Sequence, residues 1–124
     1  MVFLAQFFGA LFGALAIILG AFGAHALKKI FNEDQIKSFE TGVKYQMYHA
    51  LLLLILGFNL KLETSLEQTM IYSIIIGVFL FSFSIYGLCI SSAKGKPLKF
   101  LGPITPLGGL FLVLGWGLLL YSFL

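Results

Sequence analysis

Four apolar stretches, each about long enough to cross a bilayer, most constrain how this chain can fold. They run from about residue 3 to 27, 42 to 60, 69 to 90 and 103 to 123. A hydrocarbon core about 30 Å thick needs about 20 helical residues to span it. Hydrophobic residues make up 60% of the 124, and the mean hydropathy is +1.02, which exceeds what a water-soluble domain of this size carries. The sequence therefore predicts an all-α membrane protein, a bundle of four transmembrane helices in a single domain over residues 1–124.

The second stretch is the least apolar of the four. Its continuous apolar run covers only residues 50–58, and full length requires Tyr45, Gln46 and His49 as well. If this stretch did not cross, loop lysines would fall on opposite faces of the membrane, so we expect it to span. The first stretch is too long for the h-region of a signal peptide and no positive n-region precedes it, so we expect it to be retained.

Lysines in the short loops predict the orientation. Seven of the eight lysines lie between spans one and two or between spans three and four, and only Lys61 lies in the middle loop. Lysine-rich short loops stay on the cytoplasmic side, so both termini are expected outside the cytoplasm. Every basic residue is lysine, which gives no bidentate phosphate contacts, and no nucleic-acid partner is expected.

The segment before span two carries an amphipathic pattern. Ile36, Phe39 and Val43 recur at spacings of three and four with charged residues between them, which is typical of a helix with one apolar face. Asn32 is the predicted N-cap, since two acidic residues follow it. The pattern predicts either a short amphipathic helix on the cytoplasmic surface or an extension of span two into water. Between spans three and four, the sequence KGKP at residues 94–97 is expected to break the helix.

Small residues predict close packing between helices, because apolar burial gives helices in lipid little reason to associate. They lie in span one and at the start of span four: Gly9, Gly13, Gly20, Gly108 and Gly109. We expect these faces to pack within the bundle rather than against a second copy.

Polar side chains inside the spans form the candidate site. Counted by helical rise from the cytoplasmic side, they lie at similar depth: His25, Tyr45, Gln46, His49, Ser82, Tyr86 and Thr105. All four helices are thus expected to bring hydrogen-bonding side chains to one layer. For His25 three interpretations stay open: a helix-end contact at the interface, a hydrogen bond to span two, or a functional role. For His49 we expect a hydrogen bond to a Ser, Thr or Tyr of another helix, with chemistry as the alternative.

The sequence offers little support for catalysis. Haem ligation needs two imidazoles at the same depth across a porphyrin, whereas His25 and His49 are expected to differ by several Å. A proton relay needs an acid within the membrane, and zinc needs further ligands. All five acidic residues lie in loops, and Cys89 is the single cysteine. We therefore expect no catalytic residues, no metal and no cofactor.

Several blocks of the sequence resemble a known family. They are GALFGALAIILGAFGAHALK (9–28), FETGVKYQMYHAL (39–51), LFSFSIY (80–86), ITPLGG (104–109) and GWG (115–117). These resemble the small inner-membrane proteins of unknown function that include YgdD and YwdK. The resemblance implies a four-span protein of the cell inner membrane, places the candidate polar residues with Ser84 and Pro106 on signature positions, and brings no activity with it. Phe83 stands where the family pattern has glycine, which argues against a close helix approach there.

The expected function is that of a non-enzymatic integral membrane protein. It would act as a structural, accessory or assembly subunit, with the lipid bilayer and a larger membrane complex or a homo-oligomer as partners. The alternative is a binder or carrier of a lipid, quinone or other small amphiphile, which would use the same polar cluster at the cytoplasmic leaflet.

Overall fold

The chain folds into four helices joined by short turns. A computed structural model describes the backbone of residues 1–124 and every side chain except that of Ala24. The helices are α1 (Val2–Leu27), α2 (Glu33–Asn59), α3 (Ser65–Ala93) and α4 (Ile104–Tyr121), with a 3₁₀ turn at Lys99–Leu101 before α4. No strand occurs among the described residues. The all-helical prediction is therefore confirmed.

Three of these helices are long and apolar enough to cross a membrane: α1, α3, and α4 with its preceding 3₁₀ turn. The second apolar stretch lies in α2, whose first turns are charged. Residues 33–44 form these first turns of α2 and are not a separate surface helix. No proline or chain turn interrupts the backbone between Glu33 and Asn59, so the helix extends beyond its apolar part.

Side-chain caps start two of the helices. The side chain of Asn32 accepts a hydrogen bond from the backbone N–H of Gln35 at 2.8 Å, and the side chain of Gln35 accepts from the N–H of Asn32 at 2.9 Å. This reciprocal pair is a capping box, and the predicted N-cap at Asn32 is confirmed. Thr64 and Glu67 form the same arrangement before α3. At its other end α3 stops at Ala93, where the KGKP sequence was expected to break it.

Helices α1 and α2 pack closely in antiparallel fashion. A Cβ atom built on Gly9 would lie 2.8 Å from Cγ of Leu54 and 3.0 Å from the carbonyl oxygen of Ala50, which is too close for any residue but glycine. Gly20 lies further along the same face, where a Cβ would be 3.2 Å from Val43. At Gly13 the corresponding distance, to Cβ of Ala50, is an ordinary 3.8 Å.

Helices α3 and α4 form a second antiparallel pair. A Cβ on Gly108 would clash with the backbone of Phe81, whereas one on Gly109 would meet only the Phe81 ring, at 3.9 Å. On the α3 side, a Cβ on Gly77 would lie 2.6 Å from Leu112. Gly108 and Gly77 therefore set the distance between these two helices, and Gly109 does not.

The centre of the bundle is formed by α2 and α3. Within the most apolar window of each helix, 56% of residues are buried in α3 but only 22% in α1 and 17% in α4. The outer surfaces of the flanking helices carry exposed Phe3, Phe22, Leu110 and Val113. In a water-soluble protein such surfaces would be unfavourable, whereas in a bilayer they face lipid.

Two of the helices contain a π turn, in which the backbone hydrogen bonds span one residue more than in an α-helix. The turns lie at Ile18–Gly23 in α1 and at Phe79–Phe83 in α3. No feature of the sequence predicts either turn. The second turn contains Ser82 and sits beside the central polar side chains.

Candidate functional site

Gln46 joins three helices at the centre of the bundle. Its side chain on α2 is fully buried. The amide Nε2 donates to the carbonyl oxygen of Phe12 on α1 at 2.8 Å, and Oε1 accepts from the hydroxyl of Tyr86 on α3 at 2.7 Å. The nitrogen and the oxygen of the amide are thus bonded to two different helices, α1 and α3. A buried polar group has no water to bond to and needs partners of this kind.

Ser82 adds a second bond between α2 and α3. Its Oγ donates to the carbonyl oxygen of Gly42 at 2.7 Å, and the side chain is buried. Gly42 also lets the Tyr86 ring approach, since a Cβ at this position would lie 2.8 Å from Cε1 of Tyr86. The close fit at Gly42 therefore supports both Ser82 and the Tyr86–Gln46 bond.

His49 connects α2 to α4 in a single protonation state. Its Nδ1 lies 2.6 Å from the carbonyl oxygen of Tyr45, and its Nε2 lies 3.0 Å from the indole Nε1 of Trp116. A carbonyl only accepts and an indole only donates, so Nδ1 carries the proton and Nε2 is the acceptor. The imidazole is therefore neutral, and protonation of Nε2 would break the bond to Trp116.

The prediction that His49 bonds to a Ser, Thr or Tyr of another helix is wrong. The partner is Trp116, and the other bond goes to a backbone carbonyl in the same helix. Helix α4 packs mainly against α3, and the long indole side chain of Trp116 reaches past it to His49 on α2.

A third connection lies at one end of the bundle, between α3 and α4. The hydroxyls of Ser84 and Thr105 are 2.6 Å apart, and Thr105 also lies 3.4 Å from the carbonyl oxygen of Leu101. This pair positions the start of α4 against α3.

The remaining predicted residues lie apart from these bonds. Tyr45 is 41% exposed and contributes its carbonyl group, while its ring packs against Phe81 with centroids 5.0 Å apart. His25 is exposed in the last turn of α1, and among the described side chains it takes part in no hydrogen bond. From α1 the network receives only the carbonyl of Phe12. The predicted residues thus form three separate connections, centred on Gln46, His49 and Ser84, where the sequence predicted one layer of side chains from all four helices.

The buried polar atoms of the network are already hydrogen-bonded within the protein. Every buried side-chain nitrogen or oxygen among the described residues has a hydrogen-bond partner. Within those same residues, no group of three His, Cys, Asp or Glu side chains is placed to hold a metal ion. The arrangement is suited to holding helices together, because its donors and acceptors are already matched to one another.

Sequence reasoning missed two residues of the network, Trp116 and Gly42. The only signal for Trp116 was the lone indole in the GWG block, 67 positions from its partner. Gly42 gave no signal, because what matters there is its carbonyl oxygen and the space above its Cα. Phe83, expected to prevent a close approach, packs with its ring centroid 5.5 Å from that of Tyr86 and 5.3 Å from that of Phe79.

These features define the class: an all-α integral membrane protein whose helices are connected by buried hydrogen bonds. The family described as "Protein of unknown function (DUF423)" matches residues 19–109. A UPF0382 membrane protein of Staphylococcus aureus (strain bovine RF122 / ET3-1) is 37% identical over 92% of this chain and 89% of its own. The UPF0382 membrane protein YwdK of Bacillus subtilis (strain 168) is 36% identical over 87% of this chain and 85% of its own.

A further relative occurs in a eukaryote. A UPF0382 membrane protein of Schizosaccharomyces pombe (strain 972 / ATCC 24843) is 36% identical over 90% of this chain and 93% of its own. No solved structure matches the chain. The chain belongs to the DUF423 family of membrane proteins, so the resemblance to the group that includes YwdK is confirmed.

Proposed function

We propose that this protein is a non-enzymatic, four-span protein of the bacterial inner membrane that serves as an accessory or assembly subunit of a larger membrane complex. The observation that carries the proposal is the buried amide of Gln46, whose nitrogen and oxygen are both hydrogen-bonded to other helices. A catalytic or transport site needs polar groups that are free to meet a substrate. Here the central polar groups are committed to one another.

In the proposed four-span topology, α2 is the fourth helix that crosses the membrane, beside α1, α3 and α4. Helix α2 has 27 residues, about 40 Å at the usual helical rise, and its antiparallel packing between α1 and α3 needs the same depth as theirs. Its charged first turns then lie in the cytoplasm with the lysine-rich segments. Both termini lie on the opposite side.

The subunit role draws support from the outer surfaces. Exposed aromatic and aliphatic side chains on α1 and α4 form faces that a second membrane protein, or a second copy of this chain, can pack against as well as lipid can. The alternative function, amphiphile binding through the Gln46 and His49 cluster, lacks support, since every buried polar side-chain atom of the cluster already has a hydrogen-bond partner within the protein.

Purification of the full chain from native membranes in mild detergent, followed by mass spectrometry, tests the subunit role. We expect a reproducible protein partner at constant ratio, or a defined homo-oligomer. A protein that is consistently monomeric and alone would contradict the proposal.

The role of the cluster itself is tested at His49. If the cluster is structural, His49→Ala lowers thermal stability in detergent, because it leaves the Trp116 indole without its acceptor. Asn59→Ala is a control, since Asn59 is exposed and bonds only within its own helix. A His49→Ala variant of unchanged stability that has lost a co-purifying small molecule would support the ligand-binding alternative instead.

A further inference from the structure

A cleft separate from the buried network opens where α3 ends and α4 begins. Its volume is about 450 Å³, which falls within the usual range for small-molecule sites. Three helices line it: the first turns of α2, the last turns of α3 and the start of α4. Of the residues in the hydrogen-bonded connections, only Thr105 also touches this cleft.

The lining changes from polar to apolar with depth. Asp34 and Ser92 lie close to the ends of their helices, while Ile85 lies seven residues before Ser92 in α3, about 10 Å deeper at the usual helical rise. Leu88 and Pro106 complete the apolar part. Among the described hydrogen bonds, none uses the side chains of Asp34 or Ser92. The outer part of the cleft therefore offers free acceptors above an apolar floor.

Charge is distributed unevenly around this cleft. Asp34 is the one charged side chain among the lining residues. Lys94, Lys96 and Lys99 lie in the segment that connects two lining residues, Ser92 and Gly102, although none of the three lines the cleft itself. A ligand that suits this pattern carries a cationic hydrogen-bond donor for Asp34 and an anion on the side of the lysine-bearing segment.

We propose that this cleft binds the headgroup of a phosphatidylethanolamine-type lipid. The primary ammonium group donates to the carboxylate of Asp34, a charge-assisted bond of the stronger kind. The phosphate lies on the side of the segment that carries Lys94, Lys96 and Lys99. The lipid's glycerol end lies on Ile85 and Leu88. The position of the cleft at the helix ends places it at headgroup level.

The proposed contacts predict a definite selectivity. A choline headgroup carries the same phosphate and positive charge, but its trimethylated nitrogen has no N–H to donate. A glycerol headgroup has no cation and leaves the lipid with a net negative charge beside Asp34. Ethanolamine lipid should therefore bind more tightly than either of the other two.

Native mass spectrometry of the full chain in detergent, titrated with dioleoyl phosphatidylethanolamine, phosphatidylcholine or phosphatidylglycerol, tests this proposal. We expect the ethanolamine lipid to bind roughly tenfold more tightly than the choline lipid, as loss of a charge-assisted hydrogen bond implies. Asp34→Asn should remove that preference. Glu33→Gln is the matched control: it removes the same charge in the same helical turn, but Glu33 does not line the cleft.

Several results would overturn the proposal. These are equal binding of the ethanolamine and choline lipids, tightest binding of the glycerol lipid, no lipid bound at all, or an equal loss of preference in Glu33→Gln. Thermal unfolding of both variants shows that they are folded, and we expect it to be similar because both side chains are exposed. A cleft-filling variant, Ser92→Phe, should weaken binding of all three lipids, and retained binding would place the lipid elsewhere.

Discussion

Gln46 shows how a single side chain can be both polar and fully buried in this bundle. An amide carries a donor and an acceptor, and here they point to two different helices. In the interior of a membrane protein no water replaces a lost partner, so truncating one member leaves another unsatisfied. The effect of a substitution at this point should therefore exceed the value of the removed contact alone.

At Tyr86 we predict that removal of the hydroxyl, Tyr86→Phe, destabilises the protein by about 1 kcal/mol, since Oε1 of Gln46 loses its partner. Unfolding in mixed detergent, followed by circular dichroism, measures this change. Tyr48→Phe is the control, because Tyr48 is exposed. Equal effects of the two substitutions would show that the buried bond adds nothing to stability.

At the scale of elements, glycine position decides how closely two helices approach. Both Gly108 and Gly109 belong to a small-residue run at the start of α4, but only Gly108 faces the backbone of α3. The π turn at Phe79–Phe83 lies directly opposite and changes the rotation of the helix around Phe81. Which glycine matters thus depends on the rotation of both helices about their axes.

For α4 we predict that Gly108→Ala lowers thermal stability strongly, because the new methyl group must displace the backbone of α3. The expected loss is about 2 kcal/mol, as for overpacking of a tight interior. Gly117→Ala should be neutral or slightly stabilising, since a Cβ added there would meet no other side chain or helix within 4 Å and alanine favours helix. Thermal scans of both variants in the same detergent measure the difference, and a harmless Gly108→Ala would contradict the packing described for α3 and α4.

At the scale of the whole molecule, α2 determines the number of crossings. It is central in the bundle, yet its first turns carry Glu33, Asp34 and Lys37. A helix of this kind extends out of the membrane at its charged end while its apolar end remains inside. The cleft lined by Asp34 lies at this exit point, which connects the proposed topology with the proposed lipid site.

We predict that a single cysteine at position 96 is labelled by an impermeant thiol reagent only from the cytoplasmic side, and one at position 63 only from the opposite side. The variants Lys96→Cys and Glu63→Cys are made in a Cys89→Ser background, since Cys89 is the only native cysteine. Inside-out membrane vesicles expose the cytoplasmic face to the reagent, and right-side-out vesicles expose the opposite face. Labelling of both positions from one side would mean that α3 does not cross the membrane, and the reversed pattern would refute the orientation.

The sequence by itself determined what depends on neighbouring residues along the chain. The apolar runs predicted the helical class, Asn32 predicted the start of α2, and residues 94–97 predicted the end of α3, because hydrophobicity, capping and backbone geometry act over a few residues. The extent of α2 was left open between two alternatives. Charged residues alone do not say whether a helix stops at the membrane surface or continues past it.

Only the tertiary structure decided which polar groups meet. The bond of Gln46 to a carbonyl of α1 and the bond of His49 to Trp116 join residues 34 and 67 positions apart. Depth counted along each helix places such groups at similar levels, but not facing one another. Contact also needs the rotation and tilt of each helix, and these follow from how all four pack together, with glycines and π turns admitting some approaches and excluding others.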